Sequence, residues 1–283
     1  LVGESGSGKT TCVRTILRAV TPTSGSALFA ARNGPVDLAS LPSRMLKPLR
    51  REMQMIFQDP FSSLNPRMTV GQIVAEPLVI HRLAKGAELA ARVAAMLVRV
   101  GLKPEHAQRH PHAFSGGQRQ RIGIARALIM QPSLVVADEA VSALDVSVQA
   151  QILNLLRDLQ AEMGLTCIFV SHDLGVVRHV CDNVAVMYGG RIVEMAACDG
   201  LFQAPRHPYT RALLASSPDP DPDVPLARPL AGEPCDPAAL PSGCAFKARC
   251  PHGLAGVCDE IPSLRELAPG HAAACARAEQ IPG

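Results

Sequence analysis

The sequence lacks a long hydrophobic run, a large net charge and a recognisable signal peptide. No apolar stretch approaches the roughly 18 residues that a membrane-spanning helix requires, so any membrane association must go through a partner. The formal net charge of +3 is too small to indicate nucleic-acid binding by itself. The chain starts on the apolar pair Leu1-Val2 without an initiator Met, so we expect it to be N-terminally incomplete.

The composition is that of a globular protein. Hydrophobic residues make up 47% and charged residues 19% of the 283 residues, which excludes a disordered chain. This length accommodates one large or two modest domains. The nine cysteines are unevenly placed, and five of them lie between residues 235 and 275.

Two adjacent carboxylates follow a short apolar segment. Leu134 to Ala137 predict a buried strand of a parallel sheet, and Asp138 and Glu139 come at its C-terminal end. Ligands bind at that end of the strands in open α/β sheets. Two acids without a neighbouring base need a metal ion or a raised pKa. We therefore expect a metal bound to phosphates at this position.

A phosphate-binding loop is predicted at the start of the chain. Residues 3–10 match G-x-x-x-x-G-K-[ST] at every fixed position, with Leu1-Val2 as the tail of a strand and a helix over 11–20. Glycines let the backbone N–H groups approach phosphate oxygens, and the helix adds the positive end of its dipole. Lys9 is placed to reach the β- and γ-phosphates, and the Thr10 hydroxyl is placed to ligate Mg²⁺.

Three further polar positions have both a functional and a structural interpretation. Gln58 follows a predicted strand (53–57), where it could ligate the metal, orient water or simply lie in a polar loop. Ser115 and the two glycines after it precede a helix, as either a second anion-binding N-terminus or an ordinary N-cap. His172 follows a predicted buried strand (166–170) and is placed to contact a γ-phosphate, although a lone His is usually structural.

The remaining segments divide the chain further. Residues 61–130 have helical patterns broken by prolines, which predicts a helical insertion in the sheet domain. A helix over 147–162 and a hairpin turning at Gly189-Gly190 follow. Residues 204–241, rich in Pro and Asp with a Pro-Asp run at 218–223, predict an extended linker before a cysteine-bearing tail.

These motifs occur in the order typical of one family. The phosphate loop, Gln58, Ser-Gly-Gly-Gln, strand-Asp-Glu, Ser-Ala-Leu-Asp and His172 together resemble the ATP-binding subunit of an ATP-binding-cassette (ABC) transporter, from residue 1 to about 195. Four shorter segments resemble the corresponding sequences of the oligopeptide/dipeptide importer subfamily. Among them, Val-Ser-Ala-Leu-Asp resembles the sequence of the F-type subunit of that subfamily. The segments that carry this finer resemblance are Phe57–Pro60, Ser63–Pro66, Val141–Gln151 and His207–Leu213.

The resemblance implies an α/β fold with a RecA-like P-loop NTPase core. The core would comprise residues 1–60 and 131–198, with a helical signature subdomain (61–130) inserted. Residues 199–283 would form the proline-rich linker and a small C-terminal cysteine-containing module. The missing N-terminus would carry the first strands and the aromatic residue that stacks on adenine.

The resemblance also implies a mechanism. Two subunits would enclose two ATP molecules, each held by one subunit's phosphate loop and the other's Ser-Gly-Gly-Gln. Glu139 would be the general base, His172 and Lys9 would contact the γ-phosphate, and Thr10, Gln58 and Asp138 would hold Mg²⁺. The implied ATP-contacting residues are Gly3, Glu4, Ser5, Gly6, Ser7, Gly8, Lys9, Thr10, Thr11, Gln58, Ser115, Gly116, Gly117, Gln118, Asp138 and Asp145.

Two positions depart from the family pattern. Phe114 stands where members usually have Leu before Ser-Gly-Gly-Gln, and Ala140 stands where they usually have Pro after Asp-Glu. We expect both changes to be tolerated.

Four cysteines in the tail resemble the C-terminal cysteine motif of the same subfamily, which can hold an iron–sulfur cluster: Cys244, Cys250, Cys258 and Cys275. Four thiolates suit a [4Fe–4S] cluster or Zn²⁺, and a site without metal is a third interpretation. The spacing from Cys250 to Cys258 is one residue longer than the motif. Cys12, Cys167, Cys181 and Cys198 lie in or beside apolar segments and are expected in the core, while Cys235 has no assigned role.

The resemblance further implies partners and a location. A second ATP-binding subunit, two transmembrane permeases and an extracytoplasmic substrate-binding protein are expected, at the cytoplasmic face of the membrane and without nucleic acid. The alternatives are a soluble ABC ATPase acting on nucleic acid or ribosomes, an importer of nickel- or glutathione-like cargo, and a protein that binds ATP without hydrolysing it.

Overall fold

The computed structural model describes residues 1–216 and 232–281. The Pro-Asp run at 218–223 lies outside the described residues. The chain divides into two compact units, the first made of Leu1–Cys12 with Val170–Gly283 and the second of Val13–Phe169. This division is not the one predicted from the sequence, and the predicted domain boundaries stay a prediction.

The described helices and strands follow one another as a mixed α/β chain. The helices are α1 (Lys9–Ile16), α2 (Ser43–Leu49), α3 (Val70–Ile80), α4 (Gly86–Arg99), α5 (Gly116–Leu128), α6 (Val146–Met163), α7 (Leu174–Val180), α8 (Cys198–Gln203) and α9 (Pro208–Ala215). The strands are β1 (Leu28–Ala31), β2 (Gly34–Asp37), β3 (Met53–Ile56), β4 (Leu134–Asp138), β5 (Thr166–Val170), β6 (Asn183–Tyr188), β7 (Arg191–Ala197), β8 (Arg265–Ala268) and β9 (His271–Ala273).

The second unit contains a sheet in the order β3-β4-β5. β3 and β4 are parallel, with Ile56 opposite Ala137. β4 is buried at every position, as its continuous apolar sequence predicts for a parallel strand covered on both faces. All three strands lie where the sequence predicts them. Because β3 and β4 are parallel and in register, the residues that follow them emerge at the same edge.

Helices α3, α4 and α5 lie within residues 61–130, where the sequence predicts helical patterns. Thr69 caps α3 in a reciprocal capping box with Gln72, and the apolar face of α3 is buried. α4 ends before Gly101, whose φ of 75° lies in the left-handed region that glycine adopts readily. Among the described residues, no helix combines the length and the apolar character needed to cross a membrane.

The first unit contains a sheet in the order β6-β7-β9-β8. β6 and β7 form the predicted antiparallel hairpin, which turns at Gly189 and Gly190. Val2 joins this unit through parallel bridges to Ser171 and Val186. Its backbone N–H donates to Ala185 O at 2.9 Å, and its carbonyl accepts from Met187 N at 2.7 Å. The phosphate loop therefore begins directly after a paired residue.

Two expectations from the sequence need correction. The helix expected over 11–20 is α1, which begins at Lys9 and ends at Ile16, because Arg18 adopts a φ of 56° that a helix cannot continue through. Part of the segment predicted as linker is helical, since α9 starts with Pro208 at its first turn. His207 caps it by accepting from Tyr209 N through Nδ1, and Tyr209 is fully buried. Proline here begins a helix rather than preventing one.

Candidate nucleotide site

The phosphate loop connects Val2 to α1 and requires glycine at two kinds of position. Gly6 and Gly8 have φ angles of 79° and 98°, which residues with a Cβ rarely adopt. A Cβ on Gly3 would lie 2.2 Å from the carbonyl oxygen of Met187, so any side chain there would displace the backbone. The sequence motif therefore matches a backbone path that only glycine permits.

Polar groups of the loop point inward. Ser7 is buried, its carbonyl accepts from Gly190 N at 2.9 Å, and its Oγ has no hydrogen-bond partner in the described parts of the chain. Lys9 is also buried, and its Nζ donates to the carbonyl oxygens of Gly3 and Glu4, both at 2.8 Å. A buried hydroxyl without a partner and a buried ammonium fit an oxyanion ligand. Ser5 completes the loop, and Thr10 and Thr11 lie in the first turn of α1.

His172 lies in the same unit as the loop. It follows Ser171, which pairs with Val2, so His172 and Gly3 leave neighbouring chain segments at the same edge. The His172 side chain is exposed, while the next residue, Asp173, caps α7 by accepting from Gly175 N at 2.8 Å. An exposed imidazole at this edge can contact a ligand.

In the second unit, the structure brings Gln58 and Glu139 together. Gln58 follows β3, Glu139 follows β4, and Gln58 Nε2 donates to Glu139 Oε2 at 2.8 Å. Asp138, the last residue of β4, is only 2% exposed, and Arg14 NH2 lies 3.9 Å from its Oδ2. Glu139 has a φ of 46°, a strained conformation for a residue with a side chain. Sequence reasoning predicted this grouping but did not identify Arg14.

The Ser-Gly-Gly-Gln segment forms the N-terminus of α5. Ser115 is the N-cap in a reciprocal capping box with Gln118, with a Gln118 N to Ser115 Oγ distance of 3.4 Å. A Cβ on Gly117 would lie 2.5 Å from Val148 Cγ1 of α6, so the two helices approach more closely than a side chain allows. Gly116 faces Leu144, and Asp145 is the N-cap residue of α6.

The two departures from the family pattern occupy buried positions. Phe114 packs edge-on against His106, with ring centroids 5.3 Å apart. Ala140 is also buried. The aromatic ring of Phe114 is thus accommodated within the helical region.

The four tail cysteines line one cavity in the first unit, together with Phe246 and His252 among others. Burial raises the pKa of three thiols above the ordinary value: Cys244, Cys250 and Cys275. Within the described ranges, no three or more His, Cys, Asp or Glu side chains are arranged as a metal site. The thiols share a cavity but are not assembled at ligand positions. Among the other cysteines expected in the core, Cys198 is buried, and Cys12, Cys167 and Cys181 are partly buried.

Sequence reasoning missed one group of contacts around Glu4. Arg249, from the cysteine-bearing tail, donates to both carboxylate oxygens of Glu4, and Tyr209 Oη accepts from Glu4 N at 2.8 Å. Their large separation along the chain hides these contacts from motif analysis. The sequence offers no local signal for them: Arg249 precedes Cys250 of the cysteine motif, but nothing in that motif indicates Glu4 as its partner.

Comparisons with known proteins agree with this arrangement. Residues 1–142 match the ABC transporter family, and residues 193–258 match the oligopeptide/dipeptide transporter C-terminal region. Among solved structures, the dimeric ATP-binding cassette MJ0796 bound to ADP and Pi is 31% identical with a TM-score of 0.61, over 70% of this chain and 83% of that one. CbiO1 from Clostridium perfringens is 32% identical with a TM-score of 0.62, over 71% and 77%. The fold and the loop thus define a P-loop NTPase of the cassette type.

Relatives that match almost the whole chain identify the branch of the cassette proteins to which it belongs. A putative peptide import ATP-binding protein of Brucella ovis is 53% identical over 98% of this chain and 86% of its own length. The di/tripeptide transport ATP-binding protein DppF of Pseudomonas aeruginosa is 50% identical over 100% and 86%. The putative oligopeptide transport ATP-binding protein YkfD of Bacillus subtilis is 48% identical over 97% and 84%. The chain belongs to the ATP-hydrolysing ATP-binding subunits of the ABC transporter family, in the branch with the oligopeptide/dipeptide transporter C-terminal region.

Proposed function

We propose that the chain powers uptake of di- or oligopeptides through partner permeases by hydrolysing ATP. The observation that carries the chemistry is the Glu139 carboxylate, held by Gln58 at the end of β4. The cargo is inferred from the three relatives cited above, which are named as peptide import, di/tripeptide transport and oligopeptide transport ATP-binding proteins.

Burial supports different roles for the two carboxylates. Asp138 is almost completely buried, so its charge needs neighbouring cations: Arg14 NH2 lies 3.9 Å away, and a Mg²⁺ ion carried by the ATP phosphates would be a second. Glu139 is more exposed and has a fixed hydrogen-bond donor, which suits a general base on the attacking water. Lys9 and His172 would stabilise charge on the γ-phosphate.

The proposed ATP site needs a second subunit. Ser115, Gly116 and Gly117 present backbone N–H groups and a hydroxyl at the start of α5, a suitable surface for the γ-phosphate held by a partner's loop. The structure of MJ0796 named above is described as a dimer. We propose a dimer of ATP-binding subunits joined to two permeases and served by a substrate-binding protein, on the cytoplasmic face of the membrane.

Uptake by whole cells tests the cargo. Cells that depend on this protein should take up labelled di- or oligopeptides when they carry the unaltered gene, and should lose uptake with Lys9→Ala. Labelled Ni²⁺ and glutathione, assayed in the same cells, distinguish the alternative cargoes. Undiminished peptide uptake in cells without the protein would refute the peptide assignment.

We also propose that the four tail cysteines hold a [4Fe–4S] cluster, with Zn²⁺ as the competing occupant. Four thiols on one cavity are a suitable donor set for either, and a bound cluster would supply a rigid cross-link within a small module. Metal ligation requires thiolates, so their raised pKa values would fall on binding.

Metal analysis after anaerobic purification tests this proposal. We expect iron and acid-labile sulfide in equal amounts, and their loss in Cys250→Ser. Cys181→Ser is the matched control, because Cys181 is partly buried and lies outside the cavity. Zinc found without sulfide would show that the cysteines hold Zn²⁺ and not a cluster. Protein that contains neither iron nor zinc would refute a metal site.

A further inference from the structure

Glu4 of the phosphate loop is held at each of its polar groups. Its backbone N–H donates to Tyr209 Oη at 2.8 Å, and its carbonyl accepts from Lys9 Nζ at 2.8 Å. Its carboxylate accepts from both terminal nitrogens of Arg249, at 2.7 and 3.0 Å. Ser7 N also donates to the Glu4 carbonyl, at 3.2 Å. Two of these four partners, Tyr209 and Arg249, come from the C-terminal part of the chain, which the phosphate-loop motif does not include.

Arg249 belongs to the cysteine-bearing tail. It ends a short 3₁₀ turn, Lys247–Arg249, directly before Cys250, and its N–H donates to Phe246 O at 3.0 Å. Its side chain is 6% exposed and also reaches Tyr188 Oη at 3.4 Å. The position of this guanidinium is therefore set by the fold of the tail.

The Arg249–Glu4 contact has the features of a strong ion pair. Both partners form charge-assisted hydrogen bonds in a bidentate geometry, which fixes the orientation of the carboxylate as well as its distance. The hydrogen bonds that Arg249 donates to Glu4 raise the pKa of Arg249 above its usual value. Removing one partner would leave the other charge largely buried and uncompensated.

Aromatic packing fixes the same region. Phe246 lies 5.2 Å from Tyr188 and 5.4 Å from Tyr209 between ring centroids, and all three residues are buried. Tyr209 is therefore held by the tail while its hydroxyl accepts from the phosphate loop. Phe246 also lines the cavity of the four cysteines, and it directly precedes the turn that ends at Arg249. One side chain therefore contacts both the cavity and the aromatic cluster around Tyr209.

We propose that Arg249 is a positioning residue for the phosphate loop, and that through it the cysteine-bearing tail sets the affinity for nucleotide. The ion pair holds Glu4, whose carbonyl accepts from Lys9, in one orientation. This inference rests on the proposed ATP site. A loop that is ordered before binding loses less conformational entropy on binding phosphates than a free loop does.

Nucleotide binding by Arg249 variants of the full-length protein tests this. We expect Arg249→Ala to weaken binding of a fluorescent ATP analogue about tenfold and to raise KM for ATP, with kcat at saturating ATP nearly unchanged. Arg249→Lys should recover part of the affinity, because an ammonium keeps the charge but cannot form the bidentate pair. Arg265→Ala is the matched control: it breaks an exposed ion pair with Glu279 in the same tail and should leave ATP affinity unchanged.

Glu4→Gln removes the same ion pair without changing the tail, so the proposal stays falsifiable if Arg249→Ala folds poorly. Where both single variants fold, a double-mutant cycle adds a second test. Glu4→Gln should weaken ATP binding by a similar factor, and Glu4→Gln with Arg249→Ala should be no weaker than the worse single variant. Additive losses, or ATP affinity equal in Arg249→Ala and Arg265→Ala, would overturn the positioning role. If the unaltered full-length protein binds no ATP, the proposed function itself fails.

Discussion

At the scale of single residues, two neighbouring carboxylates differ in their surroundings. Asp138 ends a fully buried strand, and Arg14 NH2 lies 3.9 Å from it. Glu139 is less buried and accepts a hydrogen bond from Gln58. The two neighbouring acids thus differ in burial and in partner, and this difference supports the different roles proposed for them.

The base assignment predicts the effect of Glu139→Gln. An amide cannot accept a proton from the attacking water, so hydrolysis should fall by at least about 100-fold. ATP binding should persist, since the amide keeps the size of the side chain. Phosphate release and nucleotide titration measure the two effects separately. Glu88→Gln is the control. Glu88 lies on the surface, and its ion pair in the described part of the chain is with Arg92 of the same helix. Normal ATP turnover in Glu139→Gln would refute the assignment of Glu139 as the general base.

His207 predicts a dependence of stability on pH. Burial lowers the pKa of His207 from 6.5 to about 4. Its ring accepts from Tyr209 N through Nδ1, and its backbone N–H donates to the buried carboxylate of Glu194, which also contacts His271. The unfolded chain therefore binds a proton between about pH 6.5 and 4 that the folded chain does not. Stability should be complete above pH 6.5 and decrease by up to about 1.4 kcal/mol per pH unit below it.

The melting temperature measured from pH 7 to pH 4.5 tests this dependence. His207→Asn keeps a hydrogen-bond acceptor for the cap of α9 and removes the titration, so its melting temperature should change less with pH. An identical pH profile in both proteins would show that other groups are responsible.

At the scale of elements, the close approach of α5 and α6 connects the Ser-Gly-Gly-Gln segment to the chain that follows Glu139. Gly117 faces Val148, and Gly116 faces Leu144. The second subunit's ATP is proposed to bind at this end of α5. The packing of the two helices thus determines where the N–H groups of α5 point.

Glycine-to-alanine substitutions along α5 test this packing. Gly117→Ala should destabilise the protein by about 1–3 kcal/mol, because its Cβ would overlap Val148 Cγ1 at 2.5 Å. Gly123→Ala in the same helix has no atom within 4 Å of the new Cβ and should stabilise the protein by up to about 1 kcal/mol. Chemical denaturation of both variants gives the two values. Equal effects of the two substitutions would contradict the tight contact.

Local sequence patterns predicted most of these elements. β3, β4, β5 and α6 have a clear apolar period or continuous apolar run, and the residues after β3 and β4 meet because parallel strands share an edge. The helix α9 was missed because the proline-rich composition around it indicated a linker. The Arg249–Glu4 pair was missed because 245 residues separate its partners. Such a contact depends on the packing of the tail, which has no local period.

At the scale of the whole molecule, the phosphate loop belongs to one compact unit and the carboxylates to another. The first unit also contains the cysteine-bearing tail, whose Arg249 contacts the loop. The cysteine-bearing tail therefore contributes directly to the phosphate loop, because its Arg249 holds Glu4 of that loop. The match to the oligopeptide/dipeptide transporter C-terminal region covers this part of the chain.

Identification of the partners tests the proposed transport function most directly. The tagged full-length protein should be purified from detergent-solubilised membranes and its partners identified by mass spectrometry. Two multi-span permeases and a second ATP-binding subunit are the predicted result. Ribosomal proteins or nucleic acid, recovered without any membrane subunit, would contradict the importer and leave only the ATPase chemistry.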